Sequence, residues 1–208
     1  GKLGEIRLNN HGHLGDRYIK NQIQRFANSP LNVNQLVQGL QLLQLDPLIR
    51  NLSAELTTSA HPGESLLNVD VTQNPSFHTY LNFDNGRSPS VGSQRQQIRL
   101  REDTLFGQHD AIEVGYGITE GSRDINLNYT IPFNKTNGTA SVSYSDSSAK
   151  VIEKPFNILD IRSRSKSWEF TFRQPIIESP TQELAVGITF SHRFSQTKLA
   201  GRYFPLSA

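Results

Sequence analysis

Hydrophobic and polar residues alternate with two different periods along the chain. After residue 75, apolar side chains recur at every second position, as in the runs at residues 112–118 and 184–190. This period predicts β-strands with one apolar and one polar face. Between residues 16 and 43, apolar side chains recur every three to four residues, which predicts amphipathic helices. The change of period near residue 75 therefore predicts two parts with different architectures.

The first part, residues 1–75, predicts the element order β-α-α-β-β. Asp16 is placed to cap the first helix, and Asn32 with Gln35 three residues later resembles a capping box at the start of the second. The strand candidates lie at residues 4–8, 52–58 and 66–71. This order predicts an α+β unit in which a helix pair covers one face of a small sheet.

The second part, residues 76–208, contains about seven strand candidates and no helix signal between them. Such a sheet arises in a soluble β-sandwich, whose apolar side chains face inward, and in a transmembrane β-barrel, whose apolar side chains face lipid. Several runs alternate for about eight to eleven residues, closer to the ~9–11 residues of a membrane strand than to the ~5–6 of a globular one. Strand length therefore favours the barrel.

The connections between these strands also differ in kind. Residues 103–110, 134–138 and 178–181 predict tight turns, whereas residues 86–94 and 145–165 predict longer polar loops. One end of the sheet therefore has tight turns and the other mostly longer loops, with the short link at residues 119–123 as the exception. Such asymmetry is typical of outer-membrane barrels. Because an unpaired strand edge cannot lie in lipid, about seven strands form either a soluble sheet or a fragment of a larger barrel. Strand length and loop asymmetry favour an antiparallel all-β sheet that is a fragment of a transmembrane β-barrel.

Composition removes several functional classes. The 208 residues carry 21 Lys and Arg against 19 Asp and Glu, an excess too small to attract nucleic acid. The chain has no Cys, which excludes disulfides and thiolate metal sites, and it has no apolar run of ~18 residues for a transmembrane helix. His11 and His13 flank a turn glycine without a third metal ligand, and no phosphate-binding loop or nucleophile elbow occurs. We predict no enzymatic activity, no cofactor, no metal and no nucleic-acid partner.

Several short motifs resemble a known family. Residues 32–74, with LLQLDP, LSAEL and PGESLLNV, resemble the second polypeptide-transport-associated (POTRA) domain of haemolysin-activator transporters, the TpsB-type outer-membrane components of two-partner secretion. The segments FDNG at residues 83–86, LFGQHD at 105–110 and YTIPF at 129–133 resemble the start of that family's barrel. The resemblance covers nearly the whole chain, and the order of the motifs is more specific than any one of them.

The resemblance implies a location and an activity. It implies that residues 1–75 form a POTRA domain in the periplasm and that residues 76–208 form the first strands, about seven, of a barrel in the bacterial outer membrane, in contact with lipid. Such transporters capture an unfolded secreted polypeptide and export it through the barrel. The family's plug helix, first POTRA domain, later strands and Val-Arg-Gly-Tyr-type loop are not among these 208 residues.

The resemblance also implies where the secreted partner binds. A POTRA domain is expected to bind an extended chain at a sheet edge, where backbone groups pair and a neighbouring groove accepts side chains. The implied edge is the strand after the helix pair, and the implied groove partner is the second helix. The alternative is that the helix leucines are core residues. The implied partner-binding residues are Leu36, Leu40, Leu43, Leu52, Ala54, Leu56 and Thr58.

Charged residues at the polar positions of the barrel strands are candidates for the lining of a conduit. The alternative is that they are solvated surface charges without a specific role. The aromatic residues Phe77, Tyr80, Tyr129, Phe133, Trp168 and Phe172 are candidates for an interfacial aromatic girdle. The candidate lumen-facing residues are Arg95, Arg99, Arg101, Glu113, Asp124, Glu169 and Arg173.

Two other functions remain open from the residues. One is an insertase of the same superfamily that folds barrels into the membrane, and the other is a soluble β-rich adhesion or binding module. In either membrane reading, an open strand edge offers unpaired backbone groups to a second copy, so self-association of the chain is expected to be possible.

Overall fold

The computed structural model describes residues 1–59 and 61–204, and it divides the strands between two sheets. The first part of the chain contains a three-stranded sheet and two helices, in the predicted order β-α-α-β-β. Within the described residues, no helix is both long enough and apolar enough to cross a membrane. The elements are β1 (Lys2–His11), α1 (Asp16–Gln24), α2 (Val33–Gln44), β2 (Ile49–Thr58) and β3 (Glu64–Gln73).

The helix starts agree only in part with the predicted caps. Asn32 caps α2, because its side-chain oxygen accepts the N–H groups of Asn34 (3.0 Å) and Gln35 (3.3 Å). The cap of α1 is Gly15, and Asp16 is instead the first helical residue, so the prediction of Asp16 as the cap is wrong. A carboxylate in the first turn still stabilises the helix, since it faces the positive end of the helix dipole.

The hydrophobic core lies between the helix pair and the first sheet. The sheet order is β1-β3-β2, so β3 is central and β1 and β2 are its edges. One face of β3 is fully covered, and one side of each helix packs against it. The buried core residues include Ile19 and Ile23 of α1, Leu36 and Leu43 of α2, and Leu67, Val69 and Val71 of β3.

The second sheet is an antiparallel meander in which each strand pairs with its neighbours in sequence. Its described edges are the first strand and a strand of three residues near the end. The strands are β4 (Phe77–Asp84), β5 (Arg95–Glu102), β6 (Ala111–Ile118), β7 (Ser122–Pro132), β8 (Thr139–Lys150), β9 (Arg162–Ser179), β10 (Gln182–Leu199) and β11 (Arg202–Phe204).

The two strands on either side of the predicted loop at residues 145–165 extend into it. Residues 145–165 were predicted as one loop, but β8 continues to Lys150 and β9 begins at Arg162. This part of the prediction is wrong because serine and charged residues give no apolar alternation, while their side chains pair across the strands. Ser145 lies 2.7 Å from Ser167 (Oγ to Oγ), and such cross-strand pairs stabilise a sheet.

Strand register places the apolar side chains of the second sheet on one face. Leu81 lies opposite Ile98, Ile98 opposite Tyr116, and Tyr116 opposite Ile125. Directly opposite residues share a face, so these four belong to one side, which we call the apolar face. The positions between them form the polar face. The one register irregularity among these strands lies between Leu184 and Ala185 on β10.

No second layer covers the apolar face within the described part of the chain. Leu184, Val186 and Ile188 are 54–58% exposed, and none of the buried core residues belongs to this sheet. A β-sandwich requires a packed inner face. The structure therefore excludes the sandwich arrangement for residues 77–204.

The polar face is the inner side of a curved sheet. Gly115 and Gly117 are buried on this face, whereas the large side chains of the apolar face are exposed. A Cβ atom at Gly117 would lie 2.6 Å from a carboxylate oxygen of Asp124 on the neighbouring strand. Small residues therefore allow the strands to curve toward the polar side, as they do around the lumen of a barrel.

The helix pair contacts the end of the second sheet at which the tight turns lie. The N–H of Gly15 donates to the carbonyl of Gly107 (2.7 Å), in the β5–β6 turn. Gln22 donates to the Asn137 side chain (2.7 Å), in the β7–β8 turn. The third tight turn is also involved, since Arg25 pairs with Glu178 at the end of β9. The longer loops lie at the opposite end of the strands.

The LFGQHD motif forms the turn that makes the first of these contacts. The carboxylate of Asp110 is fully buried and accepts the N–H of Phe106 (2.9 Å) and the hydroxyl of Tyr129 (3.1 Å). Gly107 has φ of +77°, a conformation that glycine adopts without strain. The motif is thus a structural device that holds the turn against α1.

We expect Glu178→Ala to loosen the junction between the helix pair and the second sheet. Glu178 accepts Nη2 of Arg25 at 2.9 Å, with side chains only 17% and 15% exposed. Its removal leaves the guanidinium partly buried with no carboxylate partner among the described residues and only the side-chain oxygen of Gln22 to accept from it, at a cost of about 1–3 kcal/mol. Because the chain has no Cys, spin labels on cysteines substituted at Gln38 and Thr181 report the distance across the junction. The distance distribution should be narrow in the parent chain and broad in Glu178→Ala.

Glu183→Ala is the matched control for this measurement. Glu183 also pairs with an arginine, Arg173, but both side chains are about half exposed and neither contacts the helices through this pair. The distribution should stay narrow in this variant. An equally narrow distribution in Glu178→Ala would show that the Arg25 pair does not hold the junction.

Candidate functional site

The strand predicted to bind a partner lies at an edge of the first sheet. β2 pairs with β3 on one side only among the described residues. Leu52, Ala54 and Leu56 lie opposite core residues of β3, so they point to the same side as the helices. Ala54 and Leu56 are exposed, while Leu52 is partly buried against the core.

The free backbone groups of β2 belong to the predicted residues. The N–H of Ser59 donates to the carbonyl of Glu64 (3.1 Å), which continues the β2–β3 pairing. Hydrogen-bonded and non-hydrogen-bonded pairs alternate along an antiparallel pair. Counting back from Ser59, every second residue therefore directs its N–H and C=O away from β3. These residues are Leu52, Ala54, Leu56 and Thr58.

The three predicted residues of α2 have different environments. Leu36 and Leu43 lie in the hydrophobic core, at 2% and 5% exposure, so their side chains are unavailable to a partner. Their placement agrees with the alternative that the sequence left open, and it corrects their assignment to partner binding. Leu40 is partly buried at the rim of the core.

Two valines that sequence reasoning did not select lie on the open side of α2. Val33 and Val37 are 53% and 44% exposed, and with Leu40 they follow an i, i+4, i+7 spacing that forms one helix face. The opposite flank of α2 meets α1, since Gly39 faces the ring of Phe26. Because α2 packs over β2, the valine face and the β2 edge lie side by side, and we call the space between them the groove. Helix period alone did not separate the exposed Val37 from the core leucines of the same stripe.

A cavity of about 320 Å³ separates the helix pair from the second sheet, and a charged contact crosses it. His109 Nε2 lies 3.0 Å from Asp46 Oδ2 at the end of α2, and its ring stacks on Tyr18 at 5.2 Å. Burial disfavours the charged imidazolium, but the hydrogen bond and charge of Asp46 outweigh it and raise the pKa of His109 above its ordinary value. Burial also raises the pKa of the Tyr18 phenol, with the Asp46 charge adding to it.

All seven candidate lumen residues lie on the polar face. Arg101 lies opposite Glu113, and Arg99 is two residues before Arg101 on the same strand. Glu113 forms ion pairs with both arginines, at 3.8 Å from Arg99 Nε and 3.5 Å from Arg101 Nη1. Register places the remaining members, Arg95, Asp124, Glu169 and Arg173, on the same side.

One group of charged and polar side chains on the polar face surrounds the nearly buried carboxylate of Asp124. Its side chain is only 11% exposed and lies 3.2 Å from Arg95 and 3.4 Å from Arg87, while Asn126 donates to it at 3.1 Å. Arg87 belongs to the β4–β5 loop, which this pair draws over the polar face. The sequence did not identify Arg87, because a loop residue has no strand period to fix its direction.

The candidate aromatic girdle contains one misplaced member. Tyr80 lies opposite Arg99, on the polar face, and the guanidinium carbon of Arg99 is 5.7 Å from its ring centre. The assignment of Tyr80 to the girdle is therefore wrong, since alternation reverses its direction relative to Phe77. Trp168 lies on the apolar face beside Tyr144, with ring centres 4.5 Å apart.

The described residues contain no group of three or more His, Asp or Glu side chains placed to hold a metal ion. His11 ends β1 and His13 lies in the following turn. The chemistry available here is backbone pairing at an edge, apolar contact in a groove, and charge on a concave face.

Comparison with known proteins gives a family match. The family model described as "Haemolysin secretion/activation protein ShlB/FhaC/HecB" matches residues 63–207. A curated relative, the heme/hemopexin transporter protein HuxB of Haemophilus influenzae, is 21% identical over an alignment of 202 positions that covers 93% of this chain and 34% of that protein. The chain thus spans about one third of the length of that relative.

Two solved structures share the fold. CdiB from Escherichia coli matches with a TM-score of 0.70 and 16% identity, covering 98% of this chain and 39% of that one. BamA from Haemophilus ducreyi lacking POTRA domains 1–3 matches with a TM-score of 0.70 and 11% identity, covering 97% and 37%. In agreement with the sequence, the fold is a POTRA α+β unit followed by an antiparallel sheet like the barrel strands of these proteins.

We expect the pKa of His109 to lie above about 6.5 in the folded chain and to fall below that value in Asp46→Asn. The substitution removes the carboxylate that raises the pKa and leaves the burial that lowers it, while asparagine can still accept the N–H of Leu48 as Asp46 does. Titration of the imidazole C–H resonances by NMR measures both values.

The sign of the shift sets the pH dependence of this contact. The folded pKa is raised, so the contact contributes its full stability below about pH 6.5 and loses it as the pH rises through the folded pKa. The junction should therefore loosen toward alkaline pH in the parent chain and show no such dependence in His109→Gln. A pKa that is the same in Asp46→Asn as in the parent would contradict the assignment.

Proposed function

The chain belongs to the haemolysin secretion/activation protein family, and from that premise we propose that it is part of an outer-membrane transporter that captures and exports an unfolded secreted polypeptide. Residues 1–75 form the periplasmic POTRA domain, and residues 76–208 contribute strands to the barrel wall. The observation that carries the proposal is the uncovered apolar face of a sheet whose tight-turn end holds the helix pair.

Lipid is the environment that suits the apolar face. Large apolar side chains that are about half exposed over several adjacent strands are unfavourable in water. In a bilayer the same side chains contact lipid tails, and the backbone N–H and C=O groups are hydrogen-bonded between paired strands. The helix pair then lies on the periplasmic side, because outer-membrane barrels place their short turns there.

The β2 edge and the neighbouring groove suit capture of an unfolded chain. An extended polypeptide that adds to β2 pairs with the outward backbone groups of Ala54 and Leu56, which requires no particular partner sequence. Its side chains on one face then contact Leu40, Val33 and Val37. Thr58 and Leu52 extend the pairing at the two ends of the edge.

The polar face suits passage of the captured chain. Arg95, Arg99 and Arg101 alternate with acidic residues on neighbouring strands, and serine, threonine and glycine fill the positions between them. A surface of mixed charge and small hydroxyls gives an unfolded chain many weak contacts and no strong binding site. These residues therefore line the lumen as a conduit.

A second function is favoured by one observation, the equal TM-score of the BamA structure. An insertase would bind unfolded outer-membrane barrel proteins at the same β2 edge. The two functions differ in the chain that binds, so one binding assay with both kinds of chain distinguishes them.

Trp168 tests the lipid-facing assignment, because it is the one tryptophan of the chain and lies on the apolar face. In vesicles of dibrominated phosphatidylcholine, its fluorescence should be strongly quenched, whereas aqueous acrylamide should quench it weakly. The control is Trp168→Phe combined with Thr171→Trp, which moves the indole to the polar face of the same strand. Acrylamide should be the better quencher in that variant, and the same result for Trp168 itself would overturn the proposal.

Ala54→Pro tests capture at the β2 edge. Proline removes one outward N–H and leaves the pairing with β3 intact, since edge positions tolerate it. The affinity for the secreted partner, presented as an unfolded polypeptide, should fall about 3- to 10-fold, the equivalent of roughly one hydrogen bond. Fluorescence anisotropy of the labelled polypeptide measures it.

Ala54→Thr is the matched control for the capture experiment. Threonine adds a branched side chain at the same position but keeps the N–H, so binding should remain within about twofold of the parent. Circular dichroism of both variants reports whether the domain remains folded. If a folded Ala54→Pro binds as well as the parent, β2 is not the capture edge; if only unfolded barrel proteins bind, the insertase function is correct.

A further inference from the structure

The apolar face of the second sheet does not remain apolar along its whole length. On β9, Trp168 is followed on the same face by Lys166, Arg164 and Arg162, toward the end that carries the longer loops. On β10, Lys198 occupies the corresponding position opposite Arg162. Register therefore places a set of basic side chains directly beyond the apolar positions, which we call the basic patch. Its members are Arg123, Lys150, Arg162, Arg164, Lys166 and Lys198.

The basic patch surrounds a cavity of about 650 Å³. Five of the six patch residues line it, all except Lys166. Its apolar lining comes from Ile118, Ile152 and Tyr203, so the cavity offers both charge and hydrocarbon contact. A ligand that fits this lining carries negative charge and an apolar part.

Positive charge exceeds negative charge in the patch. Two carboxylates neutralise part of it: Asp146 pairs with Arg164 and Lys166, and Asp160 pairs with the basic residues on either side of the β8–β9 loop. Glu120, in the β6–β7 turn, is the third carboxylate near the cavity. Six cations thus face three carboxylates.

Two cations of the patch remain available for a ligand. Among residues 1–59 and 61–204, neither Arg123 nor Lys198 has a carboxylate within 4.0 Å. Arg123 donates to the hydroxyl of Ser148 at 3.2 Å, and the ammonium of Lys198 lies 4.5 Å from the ring centre of Tyr203. These weaker contacts hold both side chains over the cavity without neutralising them.

The position of the patch identifies the kind of ligand. It continues the apolar face past Tyr144 and Trp168, and aromatic side chains of this kind mark the boundary between hydrocarbon and headgroups in membrane proteins. Basic side chains beside that boundary attract anionic headgroups. An anion bound here is therefore attached to acyl chains that lie along the apolar face.

The spacing of the two available cations identifies the headgroup further. Arg123 is on β7 and Lys198 is on β10, three strand spacings apart, which amounts to roughly 14 Å. Arg123 leans toward Ser148 on β8 and Lys198 leans toward Tyr203 on β11, in the same direction across the sheet, so their charged groups stay about as far apart as their strands. A headgroup with two phosphates can contact both without moving either side chain. Guanidinium and ammonium groups are both favourable phosphate partners.

We propose that the basic patch binds the headgroup of a lipid bearing more than one phosphate, in the leaflet opposite the POTRA domain. This inference rests on the proposed function, because the lipid-facing assignment defines which molecules reach the patch. The phosphates contact Arg123 and Lys198, the sugar or glycerol part occupies the cavity beside Ile152, and the acyl chains lie along the apolar face.

Binding of diphosphoryl lipid A tests the proposal. The full chain in maltoside micelles is titrated against the fluorescent lipid, and anisotropy gives the affinity. Arg123→Gln combined with Lys198→Gln should weaken binding about 10- to 30-fold, as expected for the loss of two charges near a headgroup. The double variant Arg123→Lys with Lys198→Arg keeps both charges and should bind within about threefold of the parent.

The control carries the same change of net charge elsewhere. Arg17→Gln combined with Arg193→Gln removes one charge from α1 and one from the polar face, and binding should stay within about twofold. An equal loss in this control would mean that net charge alone attracts the lipid and would overturn the site. Equal affinity for dephosphorylated lipid A would overturn the phosphate contacts.

Inorganic phosphate and Trp168 separate the remaining outcomes. Displacement of the lipid by low millimolar inorganic phosphate would identify the patch as a free-phosphate site and overturn the proposal. Quenching of Trp168 by brominated lipid, measured on the same variants, reports whether the sheet is in the bilayer. Loss of specific lipid binding with normal quenching overturns this inference alone, while absence of quenching overturns the proposed function.

Discussion

The cross-strand register of the second sheet is the constraint on which the other features depend. Side chains alternate between two faces, so a slip of one residue in any pair would move every apolar side chain of that strand to the other side. From β4 to β10 the register carries the same face forward, with one irregularity beside the β9–β10 turn. The apolar face, the polar face and the basic patch all result from this one register.

The helix pair binds to only one end of the second sheet, the end with the tight turns. Its contacts with Gly107, Asn137 and Glu178 involve all three tight turns. The groove between α2 and β2 therefore has a fixed relation to the strand ends. At the opposite end, the β4–β5 loop is held by the hydrogen bond from Gly121 to Val91 and by the pairing of Arg87 with Asp124.

Much of the fold could be predicted from local pattern, and the exceptions have physical causes. The strand at residues 112–118 was predicted to within one residue because apolar side chains mark every second position. The ends of β8 and β9 were not, since serines and charged residues pair across strands without an apolar period. Leu36 and Leu43 share a helix stripe with Leu40, and only packing against β3 separates core from rim. Val33 and Val37 can contact a partner chain only if β2 is the edge strand beside them. Helix period alone does not show which strand is the edge.

The pairing of every strand in the second sheet with its neighbour in sequence has a kinetic consequence. Each new hairpin closes a short loop, so the entropy lost at each step is small and no strand waits for a distant partner. The sheet can grow by one hairpin at a time along the existing edge, in the order in which the chain is made. Closing the longer loops costs more entropy than closing the tight turns. The buried carboxylate of Asp110 holds the β5–β6 turn, where the sheet meets the helix pair through the bond between Gly15 and Gly107.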